Sequence, residues 1–332
     1  MSQNVKNKDR VASFLKRGLS EFVFDNLSPE YLKKAGVDEL MAGVPVPFTK
    51  EEFETFSRGE GISLEAIAKN MAFVFGCDME FKYKGHYLAF IFKMYGENGQ
   101  KNIEAEAEQA ADAENFEKAC ILFRASLCMK PWNLPAMYGY ARVCQALYLK
   151  GGDEAFVGSF KAESIEYFEL LTIKYPEFAE GYYYLGYAYT NLGLYNKANI
   201  VWKEYIACSD DGEKLEEIKE RLVQLEGPVK IELGCNDIIS GRFAEGIEKL
   251  SVYKEGAFSN WWPLWYYLGA AYHATGIIDE AEKSLKKVLV LNPSNIETME
   301  LLAQIYREIG DSEKEEKYRK KNFLVRTQLI EQ

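Results

Sequence analysis

Apolar residues recur along this chain at helical spacing, and in two places almost the same sentence is written twice. Residues 182–193 read YYYLGYAYTNLG, and residues 265–276 read WYYLGAAYHATG. Both follow the frame aromatic-x-x-Leu-Gly-x-x-Tyr-x-x-x-Gly, which puts the large residues on one helical face. Each is followed by a second amphipathic stretch, LYNKANIVWKEYIACSD or IIDEAEKSLKKVLVLNP. On those stretches Ala198 and Trp202, or Ala281 and Leu285, share a stripe. The pattern predicts two helices joined by a tight turn. Gly193 and Gly276 end the first helix at that turn. Gly186 and Gly269 are small because the second helix crosses close by. Ala198 and Ala281 let it approach, and Trp202 and Leu285 fill the space between.

Weaker copies flank these two. IETMELLAQIYREIGDSEKEEKYRKKN aligns Met299, Leu302, Ala303, Tyr306 and Gly310. KIELGCNDIISGRFAEGIEKL aligns Leu233, Gly234, Gly241 and Leu250, with Asp237 in place of the tyrosine and Gly246 in place of the alanine. IEAEAEQAADAENFEKACILFRASLCMKP aligns Ala107, Ala119, Phe123 and Pro131. A sixth unit aligns Met137, Tyr140, Ala141, Phe168 and Pro176, and carries about eleven extra residues around Gly151-Gly152. A further surplus, GEKLEEIKERLVQLEG, predicts a charged helix inserted near residues 212–226 and closed by Gly227-Pro228.

On these residues the chain resembles the tetratricopeptide repeat family, whose unit is a helix–turn–helix with the pattern W-x2-L-G-x2-Y…A-x3-F…P. The resemblance implies an all-α fold, a right-handed α-solenoid of about six hairpins over residues 100–329. One hairpin cannot bury its own apolar face, so units stack, and terminal units are more polar. The last unit, with EKEEKYRKKN, and the first, with EAEAEQAADAEN, both fit.

Residues 1–99 do not repeat and are expected to form a helical N-terminal cap or module. Ser28 reads as an N-cap with Pro29 behind it and Gly36 past the helix end. Thr49 to Glu52 reads as a capping box. Val44–Pro47 is an extended connector, residues 63–76 a short amphipathic helix, and MEFKYKGHYLAFIFKMYG a helix in preference to a hairpin. Phe14, Leu15, Phe22, Phe24 and Phe90 are the apolar positions such a cap would use.

Composition narrows the function. The chain has 332 residues, a net charge of −11 and a pI near 5.0. That charge argues against nucleic-acid or anionic-membrane binding. The start MSQNVKNKDRVASF lacks the apolar core of a signal peptide, and no apolar run is long enough to span a bilayer. The six cysteines are scattered without a C-x-x-C pair, as in a reduced compartment. The expected location is the cytoplasm. Only two histidines occur, His86 and His273, without metal-ligand spacing, and no nucleotide, hydrolase or calcium motif is present. No enzymatic activity, cofactor or metal is expected.

In a stacked array the first helix of each hairpin lines the concave surface, and the residue after each signature position falls on that lining stripe. Those positions are Glu104, Glu108 and Ala111, then Tyr138, Arg142 and Gln145, then Tyr183, Tyr187 and Thr190. Ile231, Cys235 and Ile238 follow, then Tyr266, Ala270 and His273, and last Glu300, Gln304 and Arg307. The candidate partner-binding groove is therefore Tyr138, Arg142, Tyr183, Tyr187, Asn191, Tyr266 and His273. Tyrosine offers large apolar area with a polar tip, which suits capture of a protein or peptide with apolar or aromatic anchors. Some members of the family grip a C-terminal carboxylate with lysine and asparagine on this stripe. Tyr, Ile, Ala and Glu stand here instead, so the chain departs from that pattern. The expected function is a non-enzymatic adaptor or scaffold, with self-association left open. The alternative is a peptide-sensing regulator whose N-terminal residues form an effector module. Against a DNA-reading module, residues 1–99 hold 13 Lys/Arg against 14 Asp/Glu.

Overall fold

The structure, a computed structural model, describes residues 9–59 and 61–330, with side chains to Thr327. The opening MSQNVKNK and the last two residues lie outside the described residues. The chain divides into two compact units, residues 1–185 and 186–332.

The first unit opens with α1 (Ala12–Leu15), a 3-10 turn (Lys16–Glu21), β1 (Phe22–Asp25), α2 (Pro29–Lys34), α3 (Asp38–Met41) and β2 (Val46–Thr49). Then come α4 (Lys50–Ser57), α5 (Leu64–Cys77) and α6 (Lys84–Tyr95). The hairpins α7 (Glu97–Asp112) with α8 (Phe116–Met129), and α9 (Leu134–Lys150) with α10 (Glu154–Lys174), follow. The boundary between the units falls inside α11 (Ala179–Asn191). The second unit continues with α12 (Tyr195–Cys208) and α13 (Gly212–Ile239) with α14 (Phe243–Ser251). Two last pairs complete it, α15 (Trp262–Ala274) with α16 (Ile278–Leu291), and α17 (Ile296–Glu308) with α18 (Ser312–Ile330). The fold is all-α, of the α-solenoid class, and its repeating element is the hairpin.

Hairpin chemistry follows the frame. A Cβ on Gly269 would stand 2.6 Å from Leu285 Cγ, and one on Gly186 would stand 2.0 Å from Trp202 Nε1. Ala198, Ala281 and Leu285 are fully buried. At the turns Gly193, Gly241, Gly276 and Gly310 take left-handed φ values of 71, 81, 76 and 79°. In the first hairpin Glu114 occupies the same place at φ 57°.

Three features differ from the sequence expectation. The N-terminal region is not wholly helical, because Phe22–Asp25 pairs antiparallel with Val46–Thr49. Two short runs rich in Val and Phe, both bounded by turns, favour extended backbone, and Pro47 is tolerated in so short a ribbon. The inserted charged helix does not close at Gly227-Pro228. It runs on through Pro228 as the first half of the 28-residue α13. Gly227 lets that helix pass Phe258, whose ring would lie 2.6 Å from a Cβ there. Finally, the extra residues around Gly151-Gly152 lengthen both helices of the second hairpin. The start of α10 thereby presents Phe156 and Phe160 to Phe14, with ring centroids 5.3 and 5.9 Å away.

The N-terminal caps fall where the sequence places them. Ser28 and Ser63 each accept a backbone N–H three residues on, and Thr49 with Glu52 forms a reciprocal capping box. Polar ties then bind this region to the hairpins of the same unit. Arg124, 2% exposed, donates from Nε to the Gly76 carbonyl at 2.9 Å and from both Nη atoms to the Asp9 carboxylate. Arg10 pairs with Glu166 at 2.8 Å and lies 3.7 Å from Glu163, which also accepts the Tyr140 hydroxyl at 2.9 Å. Arg17 forks onto Glu117 at 3.0 and 2.6 Å. No helix among the described residues is long and apolar enough to cross a membrane.

Candidate functional site

The candidate groove residues fall in two groups, one in each unit. In the first unit α9 carries Tyr138 and Arg142, one helical turn apart, so both side chains leave the same face. Asn133 caps that helix by accepting the Ala136 N–H at 2.8 Å, which sets its start and the direction of the face. The Arg142 guanidinium lies over the Tyr184 ring, 3.8 Å from its centroid, and 6.0 Å from that of Tyr138. Its Nη1 donates to the Tyr138 hydroxyl at 3.3 Å.

Tyr138 also meets Phe178 edge-on at 5.2 Å, and Tyr183 meets Tyr184 edge-on at 5.0 Å. Tyr184 stacks on the buried Phe168 at 5.7 Å. Tyr138, Arg142 and Tyr183 are thus joined by two residues the stripe did not count, Tyr184 and Phe178. The run of three tyrosines at 182–184 was the available signal, and the stripe rule took only its middle member. All five side chains are half-buried. Burial pushes the Tyr138 hydroxyl up to about 12, with Tyr184 adding to the shift and Arg142 opposing it. At neutral pH it is therefore a neutral donor and acceptor. The arrangement offers ring faces for apolar groups, a cation held by π-electrons, and hydroxyl tips for orientation.

In the second unit the residues are spread. Tyr187 lies edge-on to Trp202 at 5.0 Å, and its hydroxyl donates to Glu217 in the first half of α13. Arg221 of that same stretch sits 5.9 Å from the ring. Tyr187 is held by the inserted segment as well as by its own hairpin. Asn191 is exposed at the end of α11. Tyr266 is half-buried beside Tyr267 at 5.6 Å, and burial, then Glu297, raises its hydroxyl above the usual range. His273 Nε2 is 2.7 Å from Glu308, whose carboxyl His273 and Gln304 hold below its ordinary range.

Two stripe segments outside that candidate set diverge. Ile231, Cys235 and Ile238 are core residues, packed with Leu264 and Leu268, because α15 packs against that side of α13. Glu300, Gln304 and Arg307 instead line an open cleft of about 590 Å³ with Met299, Ala303, Arg319 and Asn322.

The repeating frame has an independent counterpart. The family model for the tetratricopeptide repeat matches residues 262–295, the pair α15 and α16. Residues 262–295 thus match one tetratricopeptide repeat. No curated protein matches the chain. Several solved tetratricopeptide structures are similar to it. The tetratricopeptide domain of P58(IPK) shares 18% identity, with 68% of this chain and 60% of that one covered and a TM-score of 0.39. MamA from Desulfovibrio magneticus RS-1 shares 16% over 57% of this chain and 96% of its own, with a TM-score of 0.32. A thermophilic tetratricopeptide protein of Thermus thermophilus shares 18% over 70% and 97%, with a TM-score of 0.23.

Proposed function

We propose that the protein is a non-enzymatic adaptor that captures a protein or peptide segment through apolar and aromatic anchors. The observation that carries this reading is the cluster of Tyr138, Arg142 and Tyr184, with Tyr183 at its edge. The repeat frame does not call for Tyr138, Arg142 or Tyr183, since each stands next to a signature position rather than on one. Half-buried rings fixed by neighbours lose little rotamer freedom on binding, which is why aromatic residues and arginine dominate interface energetics. No disulfide joins cysteines among the described residues, which fits work in a reducing cytoplasm.

The N-terminal region reads better as a cap on the first hairpins than as a separate effector module. Asp9, Arg10 and Arg17 each pair with a residue of α8 or α10.

The test is selection of binding peptides from a displayed random library, followed by affinity measurement on Tyr138→Ala with Tyr183→Ala. Peptides with aromatic or aliphatic anchors should be enriched and should weaken by roughly thirtyfold or more on the double variant. Circular dichroism and melting should stay near wild type. Peptides that bind the double variant with unchanged affinity would place recognition elsewhere, and a collapsed melting temperature would make these rings part of the core.

A further inference from the structure

A concave site lies in the first unit, away from the stripe. It is a cavity of about 360 Å³ bounded by α6, the first turn of α7 and the last turn of α8. Small-molecule sites begin at about this size, roughly 300 Å³. Leu88, Phe92, Cys128 and Met129 supply its apolar wall. Phe92 is 68% exposed, a large aromatic left uncovered beside a ready-made hollow. Glu104, Glu108 and Ala111, the stripe positions of the first hairpin, do not line it.

The lining of this cavity carries two lysines against one carboxylate. Lys101 and Lys130 both line it, and neither is in an ion pair among the described residues. Gly96, at φ 56°, opens the 16-residue α7 without a side-chain cap, so the first-turn N–H groups lack one partner they ordinarily find. Glu97 is the single carboxylate on the lining. Gln100, 8% exposed, is held by Ser126 at 2.7 Å and by Glu104, which fixes the floor.

We propose that this cavity binds an aliphatic carboxylate of medium chain length, with its tail against Phe92 and Leu88 and its head between Lys101 and Lys130. An apolar wall alone would accept any greasy group. The unpaired lysines at the edge select an anion, and the absence of a strand edge on the lining leaves nothing to pair with a peptide backbone. The site is independent of the adaptor reading, and its failure would leave that reading untouched.

Full-length protein is titrated by calorimetry with decanoate, below its micelle concentration, alongside decanol, decyltrimethylammonium and a peptide ending in Leu-Leu. Decanoate should bind saturably at one per chain, and decanol and the cation about tenfold more weakly or not at all. Phe92→Ala and Lys130→Glu, both at exposed positions, should each weaken decanoate by about tenfold while melting is unchanged. Alkylation of Cys128, followed by mass spectrometry, should slow when decanoate is present. The proposal is overturned if decanoate fails to saturate, if the cation binds as well, if the two variants bind normally, or if the peptide binds more tightly than decanoate.

Discussion

Replacing a glycine by alanine inside a helix should change stability with opposite signs at two places in this molecule. Gly158 lies within α10, exposed, and a Cβ there would meet nothing within 4 Å. Alanine removes backbone freedom from the unfolded chain, so Gly158→Ala should stabilise by about 0.5–1 kcal/mol. Gly269 lies within α15 under the same backbone conditions, but its Cβ would stand 2.6 Å from Leu285 Cγ. Ordinary contact begins near 3.4 Å, and Leu285 is fully buried. Overpacking of this kind costs about 1–3 kcal/mol, which exceeds the propensity gain. Gly269→Ala should therefore lower stability by about 1 kcal/mol net. Gly186→Ala, whose Cβ would meet the indole nitrogen of Trp202 at 2.0 Å, should cost more. Urea denaturation followed by circular dichroism supplies the numbers. A double-mutant cycle with Leu285→Ala supplies the mechanism, because removing the leucine removes the clash. A favourable coupling of roughly 0.5–3 kcal/mol is expected. Stabilisation by Gly269→Ala equal to that of Gly158→Ala, or a coupling of zero, would refute the assignment of these glycines to helix crossing.

Further outcomes follow from single groups. Glu114→Gly should raise stability by about 0.5–1 kcal/mol in urea denaturation, since Glu114 holds a left-handed φ that the other hairpin turns give to glycine. In native protein at pH 8, iodoacetamide should modify the partly exposed Cys208 first and then Cys128, whose thiol burial also raises, ahead of the other four. Burial pushes the Cys77 and Cys235 thiols up to about 12, and Cys120 and Cys144 are also buried, so peptide mapping should find these four only after unfolding. Burial holds the Glu163 carboxyl above its ordinary 4.5, with Tyr140 and then Arg10 opposing. The folded state then binds that proton more tightly than the unfolded one. Its contribution is complete below pH 4.5 and lost as pH rises through the raised value. Glu163→Gln should flatten that part of the stability–pH curve, and an unchanged curve would count against the burial.

Much of this fold is local and was legible. A glycine needed for a left-handed turn, a glycine needed under a crossing helix, and the caps Ser28, Thr49 and Ser63 each state their own reason in their own neighbourhood. Six hairpins could be read off because each one repeats the same short-range chemistry. The aromatic character of the first-unit cluster was legible too, through Tyr138, Arg142 and Tyr183.

Residue order alone specifies the hairpin, with its period and its punctuation. Which face of each helix is covered is settled by packing in three dimensions. Ile231, Cys235 and Ile238 occupy the same stripe as Tyr266, Ala270 and His273, yet α15 packs against one set, and the other keeps partial access to solvent. Tyr187 and Tyr138 are alike in spacing, but only Tyr187 donates to Glu217, because α13 runs unbroken through Pro228. The Phe22–Asp25 ribbon exists because Val46–Thr49 comes back to pair with it, across an intervening pair of short helices. Arg124 is buried because Asp9, more than a hundred residues upstream, neutralises it. Each of these outcomes depends on a neighbour distant in sequence. Spacing along one helix says which residues share a face, and only packing says what that face meets.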